Sequence, residues 1–133
     1  MTRRATHASV LAVAAGAAVA ILAVAALWPL AASQDDPREV VLVARGMRFY
    51  LDGHPEANPT IALEAGERVR LVLRNEDPGV THDFAVAAWG VATGALQGRG
   101  VAVVEFRAPG RPGAYRYRCT PHPLMMSGAL EVE

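Results

Sequence analysis

The chain has a single cysteine, Cys119, so no disulfide can close within it. It has no lysine: all 13 basic residues are arginine, and 13 acidic residues match them. A formal net charge of zero leaves no basic footprint for nucleic acid, which is excluded as an expected partner. Past residue 33 there is no long apolar run, no helical periodicity, no internal repeat and no low-complexity tract. At 133 residues the length suits one compact domain and a short segment outside it.

That segment is the amino terminus. Arg3 and Arg4 precede an apolar run from Ala8 to Ala32 that contains no charged side chain. Signal-peptide cores reach about 15 residues, whereas spanning about 30 Å of hydrocarbon takes about 20 residues of helix. The length favours a retained anchor, with Trp28 at the outer interface and the arginines on the cytoplasmic side. Ala31-Ala32-Ser33 also suits cleavage by a signal peptidase, so a released form stays open. Both readings export the remainder, to the periplasm or the outer face of the cell membrane. Residues 34–38, Gln-Asp-Asp-Pro-Arg, read as a linker, and 39–133 as the folded domain.

Within that domain the pattern changes to short alternating stretches. In ERVRLVLRN, from Glu67, Val69, Leu71 and Leu73 share one face, while Arg68, Arg70 and Arg74 share the other, as in a half-buried strand. EVVLVA from Glu39, TIALEA from Thr60, THDFAV from Thr81, VAVVEF from Val101, AYRYRC from Ala114 and the terminal GALEVE read alike. Asp52-Gly53, Glu64-Ala65-Gly66-Glu67, Glu76-Asp77-Pro78-Gly79 and Ala108-Pro109-Gly110 separate them as turns. WGVATGALQGRG, from Trp89, is Gly-rich and reads as a connecting loop. Many short strands imply an all-β fold, a small sandwich preceded by one N-terminal membrane-spanning or signal helix.

A lone thiol in an exported protein is inert and buried, paired between chains, or committed as a ligand. Tyr115, Tyr117 and Cys119 alternate with Arg116 and Arg118, which turns the sulfur inward and disfavours pairing between chains. Thr120-Pro121-His122-Pro123-Leu124-Met125-Met126 follows, and its two prolines stiffen a loop rich in soft donors. Thiolate, imidazole and a weak thioether suit copper, whose trigonal site takes two His, one Cys and a distant Met. Three histidines compete for the second imidazole. His7 lies on the other side of the apolar run and His54 sits among turn formers. His82 shares an inward face with Phe84 and Val86. Each residue alone has an ordinary reading: a satisfied core histidine, a small buried hydrophobe, core-filling methionines. Together, at this spacing and in a predicted sandwich, they point to a metal site.

The YRCTPHPLMMSGALEVE end resembles the ligand loop of amicyanins and, more loosely, plastocyanins, and residues 39–133 as a whole resemble a cupredoxin, or type 1 blue copper protein. The resemblance implies a Greek-key sandwich that binds one copper through His82, Cys119, His122 and Met125. Met126 is a second axial candidate, because plastocyanins place the methionine further along. It further implies that His122 lies closest to solvent, and that Pro121, Pro123 and Leu124 form an apolar rim for transient redox partners. The binuclear copper domain of terminal oxidases is similar around VTHDFAV but needs two cysteines. Where relatives commonly have Asn after the first His, this chain has Asp83. Its N–H can still reach the sulfur, while Pro121 offers no N–H, which implies a reduction potential in the lower to middle part of the family range. The expected function is one-electron transfer without a substrate. Copper delivery to an oxidase is the alternative, and catalysis at an open metal position a weaker one, with Asp83 the nearby carboxylate to serve as base.

Overall fold

The computed structural model describes residues 36–133. The expected N-terminal segment, 1–33, and the start of the linker lie outside them. The described residues form eleven strands: β1 (Arg38–Arg45), β2 (Arg48–Leu51), β3 (Ile61–Leu63), β4 (Arg68–Asn75), β5 (Thr81–His82), β6 (Ala85–Val86), β7 (Val91–Ala92), β8 (Leu96–Gln97), β9 (Gly100–Arg107), β10 (Gly113–Arg118) and β11 (Ser127–Val132). Among the described residues a 3-10 turn covers Ala87–Trp89. The first strand begins at Arg38, one residue before the expected domain boundary.

One sheet has the order β2-β1-β4-β9, a second β3-β11-β10-β6-β7, and β5 and β8 form a separate pair. β1 pairs with β4 in parallel, and β11 with β3 in parallel. Parallel neighbours cannot be joined by a tight hairpin. The chain accordingly leaves the first sheet after β2, gives β3 to the second, and returns as β4. This switching makes two layers with one core between them.

The inner faces follow from the period of two. Along β4, Val69, Leu71, Leu73 and Asn75 are buried, the last three in register with Val40, Leu42 and Ala44 of β1. Leu130 and Val132 of β11 face them from the other sheet, and Tyr117 of β10 lies between Phe49 and Phe84, with ring centroids 5.6 and 5.5 Å away. The outward arginines of β4 meet acids: Arg70 pairs with Glu39 and Glu105, and Arg74 with Asp52 and Glu76. Exposed pairs of this kind contribute about 0–1 kcal/mol each, so they keep the face soluble more than they hold the fold.

Two stretches differ from the sequence expectation. THDFAV is interrupted: β5 ends at His82 and β6 starts at Ala85. Phe84 instead exchanges hydrogen bonds with Thr93, its N–H donating to the Thr93 hydroxyl at 3.0 Å and its carbonyl accepting from the Thr93 N–H at 2.9 Å. WGVATGALQGRG, read as a plain loop, contains β7 and β8, because it folds back along the interrupted strand and supplies these partners.

Candidate metal centre

Three short segments converge at one end of the sandwich. β5 delivers His82. Cys119 follows the last residue of β10, and the turn from 119 to 126 connects β10 to β11. Four backbone bonds shape that turn. The Cys119 N–H donates to the Met126 carbonyl at 2.9 Å and the His122 N–H to the Cys119 carbonyl at 3.3 Å. The N–H groups of Met125 and Met126 both reach the His122 carbonyl, at 3.2 and 3.0 Å. With Pro121 and Pro123 restricting φ on either side of His122, the loop is closed on itself at the base and stiff at the tip.

The donor atoms of His82, Cys119 and His122 all lie within 4.8 Å of one another. Nδ1 of His82 is 3.7 Å from the Cys119 sulfur, and Nδ1 of His122 is 3.6 Å from it. The rings meet edge to face, with centroids 5.2 Å apart. His82 and Cys119 are fully buried, while His122 is half-buried. Two imidazole Nδ1 atoms and one sulfur thus face a common point, and the His122 side opens toward solvent.

The thioethers diverge. Met126 has no exposed surface, whereas Met125 is 52% exposed. The carbonyl of Met125 accepts from Asn58 Nδ2 at 2.9 Å, which pins the loop to the β2–β3 connection. Pro121, Pro123 and Leu124 are exposed, Leu124 at 97%, and surround the His122 edge. His54 is an exposed residue of the β2–β3 connection, away from the cluster, and His7 lies outside the described residues.

Burial pushes the Cys119 thiol up from its ordinary value; the backbone N–H groups of Asp83 and His122 pull the other way without cancelling it, and the nearby Asp83 carboxylate adds to the rise. The resemblance had implied a role for the Asp83 N–H; that of His122 was not expected, because its position depends on the tight turn. Asp83 Oδ1 accepts from the Thr120 N–H at 2.6 Å, so the carboxylate ties the two ligand segments together as an acceptor. Behind the site, burial acts to raise the Asp77 carboxyl, but N–H donors from Gly46 and Met47 and the His82 ring outweigh it, and the group sits below its ordinary value. Sequence reading treated Asp77 as a turn residue.

No protein-family model matches the chain, and no curated protein does. Solved structures do. Auracyanin A, a "blue" copper protein from Chloroflexus aurantiacus, superposes with a TM-score of 0.59 at 18% identity, over 74% of this chain and all of that one. Rusticyanin from Thiobacillus ferrooxidans gives 0.53 at 23% identity, covering 71% of this chain and 76% of its own. A multicopper oxidase from Aquifex aeolicus gives 0.60 at 16% identity, with this chain matching 27% of its length. The fold is that of the cupredoxins. Its cluster of two histidines, a cysteine and an adjoining buried methionine fits a type 1 copper site holding a single ion, because the donor set is soft, close together and buried on all sides but one.

Proposed function

We propose that this protein is an exported one-electron carrier, whose copper would be held by Nδ1 of His82, the Cys119 thiolate, Nδ1 of His122 and, as the weakest donor, the Met126 thioether. The observation that carries the reading is the pair of Nδ1–sulfur distances, 3.7 and 3.6 Å, made by side chains from separate segments. Met126 is preferred over Met125, the choice that loop spacing suggested, because it is wholly buried beside the cluster. When bound, the ion supplies the Cu(II)/Cu(I) couple.

The protein's part is to keep the donors in place through both oxidation states. Cu(II) favours tetragonal coordination and Cu(I) tolerates fewer ligands, so a donor set fixed between those preferences moves little on electron transfer. Buried His82 and Cys119, the closed 119–126 turn and the Asp83 tie all serve that end. His122 is the ligand nearest solvent, and the exposed rim of Pro121, Pro123, Leu124 and Met125 offers a small apolar surface for transient redox partners. The Asp83 carboxylate, the group nearest to acting as a base, is engaged by Thr120, which supports a carrier rather than an enzyme. The apolar run at 8–32 would tether or export the domain at the membrane.

The exposed Met125 thioether favours a second reading, copper delivery to another protein, since a soft ligand outside the site can take part in handing over Cu(I). Visible absorption and EPR spectra of the Cu(II)-loaded protein beside Cys119→Ser separate the possibilities. An intense thiolate-to-copper band with small copper hyperfine splitting, both lost in the variant, supports the carrier. A protein that reduces Cu(II) without holding it and loses Cu(I) readily to a chelator is a delivery protein.

A further inference from the structure

His82 is held at both ring nitrogens. While Nδ1 faces the sulfur, Nε2 lies 2.9 Å from Asp77 Oδ2, with the His82 side chain fully buried and that of Asp77 16% exposed. An imidazole whose Nδ1 is kept free as an acceptor carries its hydrogen on Nε2, and that hydrogen points at the carboxylate.

Asp77 is itself fixed, at its backbone and at its carboxylate. Asn75 Oδ1 accepts from the Asp77 N–H at 2.9 Å, while the Asn75 amide donates to the carbonyls of Val80 and Leu96 at 2.8 and 3.3 Å. From across the sheet, the Gly46 N–H donates to Asp77 Oδ1 at 2.8 Å and the Met47 N–H to Oδ2 at 3.3 Å. Gly46 and Met47 form the tip of the β1–β2 hairpin, and both have left-handed φ, 58° and 61°. Gly tolerates this, but for Met47 the left-handed conformation is disfavoured. Successive N–H groups converging in this way make a small anion-binding concavity. A strained hairpin tip that presents two donors to one carboxylate, which in turn holds a buried imidazole, is a chain of supports ending at the metal centre.

We infer that Asp77 is a positioning residue: it locks His82 as the Nε2–H tautomer with Nδ1 free for copper, and its charge makes the imidazole a stronger donor that favours Cu(II). The second half rests on the copper reading, and the first does not. A carboxylate behind a ligating histidine raises its basicity, and loss of such a partner commonly changes metal affinity by about 10–100-fold.

The test uses the full-length protein and Asp77→Asn, whose amide keeps the shape but not the charge. In metal-free wild-type protein, imidazole 15N NMR should show His82 as a single Nε2–H tautomer; a dominant Nδ1–H form overturns the assignment whatever the variant does. In Asp77→Asn both tautomers should be populated, and an unchanged single tautomer would show that Asp77 does not set it. With copper loaded, the variant should shift the one-electron equilibrium about tenfold toward Cu(I), a rise of about 59 mV. An unchanged or lowered potential overturns the tuning role. A wild-type protein that takes up no copper removes the tuning role with the copper reading, while the NMR result still decides the orientation of His82. Asp77→Glu, which restores the charge, should return the potential part of the way.

Discussion

The Thr120 N–H and the Asp83 carboxylate meet at 2.6 Å, joining the segment after β5 to the turn after β10. Each partner is the chain neighbour of a metal-site residue: Asp83 follows His82, and Thr120 follows Cys119. The bond therefore fixes how far apart those two donors sit, and it does so with a negative charge placed close to the sulfur.

Those two roles separate by mutation. Asp83→Asn keeps an oxygen acceptor for Thr120 and removes the charge, so stability to denaturant should stay within about 0.5 kcal/mol of wild type. The reduction potential should rise, because a nearby anion favours the more positive Cu(II). Asp83→Ala removes both, and loss of a hydrogen bond to a charged group should cost about 1.5–3 kcal/mol. Urea titration and redox titration of the three proteins check this. Equal potentials in wild type and Asp83→Asn would mean that the carboxylate is only a tie.

Tyr117 is the second support of the ligand turn, two residues before Cys119 on the same inward face. Its ring packs directly over Gly128 of β11, the residue paired with it in the β10–β11 ladder, and its hydroxyl donates to the Pro59 carbonyl at 2.6 Å. A methyl group at position 128 would occupy the space of the Tyr117 ring, which is fully buried and packed against Phe49 and Phe84. Gly128→Ala should destabilise the domain by about 1–3 kcal/mol through overpacking. Tyr117→Phe should cost about 1 kcal/mol, the net worth of one hydrogen bond. Thermal and chemical unfolding measure both. A neutral Gly128→Ala would show that Tyr117 has another place to go.

How much of this was legible depended on the distance over which each feature is set. The alternation of Val69, Leu71 and Leu73 places them inside because a strand has a period of two, and the same rule turned Tyr117, Cys119 and His82 inward. Asp77 was invisible as a partner of His82, because its role is made by Gly46 and Met47, some thirty residues earlier, and nothing local to a turn sequence such as Glu76-Asp77-Pro78-Gly79 announces them. The break between His82 and Ala85 was hidden for a related reason. Phe84 keeps the inward direction that alternation predicts while its backbone pairs with Thr93. Alternation also fails inside the ligand turn. There, direction is set by hydrogen bonds to the His122 carbonyl, so two adjacent methionines could not be ranked by pattern.

Those methionines supply the sharpest test of the site. Met126→Leu keeps an apolar side chain of similar volume in the core, where such swaps usually cost less than 1.5 kcal/mol, so the fold should survive. It removes a sulfur donor, and since Cu(I) tolerates lower coordination than Cu(II), the potential should rise and the Cu(II) EPR parameters should change. Met125→Leu alters a half-exposed residue of the rim and should leave spectrum and potential as they were, while slowing electron exchange or copper transfer with whichever partner docks there. Potentials and EPR spectra of the two variants decide between the methionines. If Met125→Leu changes the copper spectrum and Met126→Leu does not, the loop-spacing assignment is right, and the metal-bound turn must rotate Met125 inward from its exposed position.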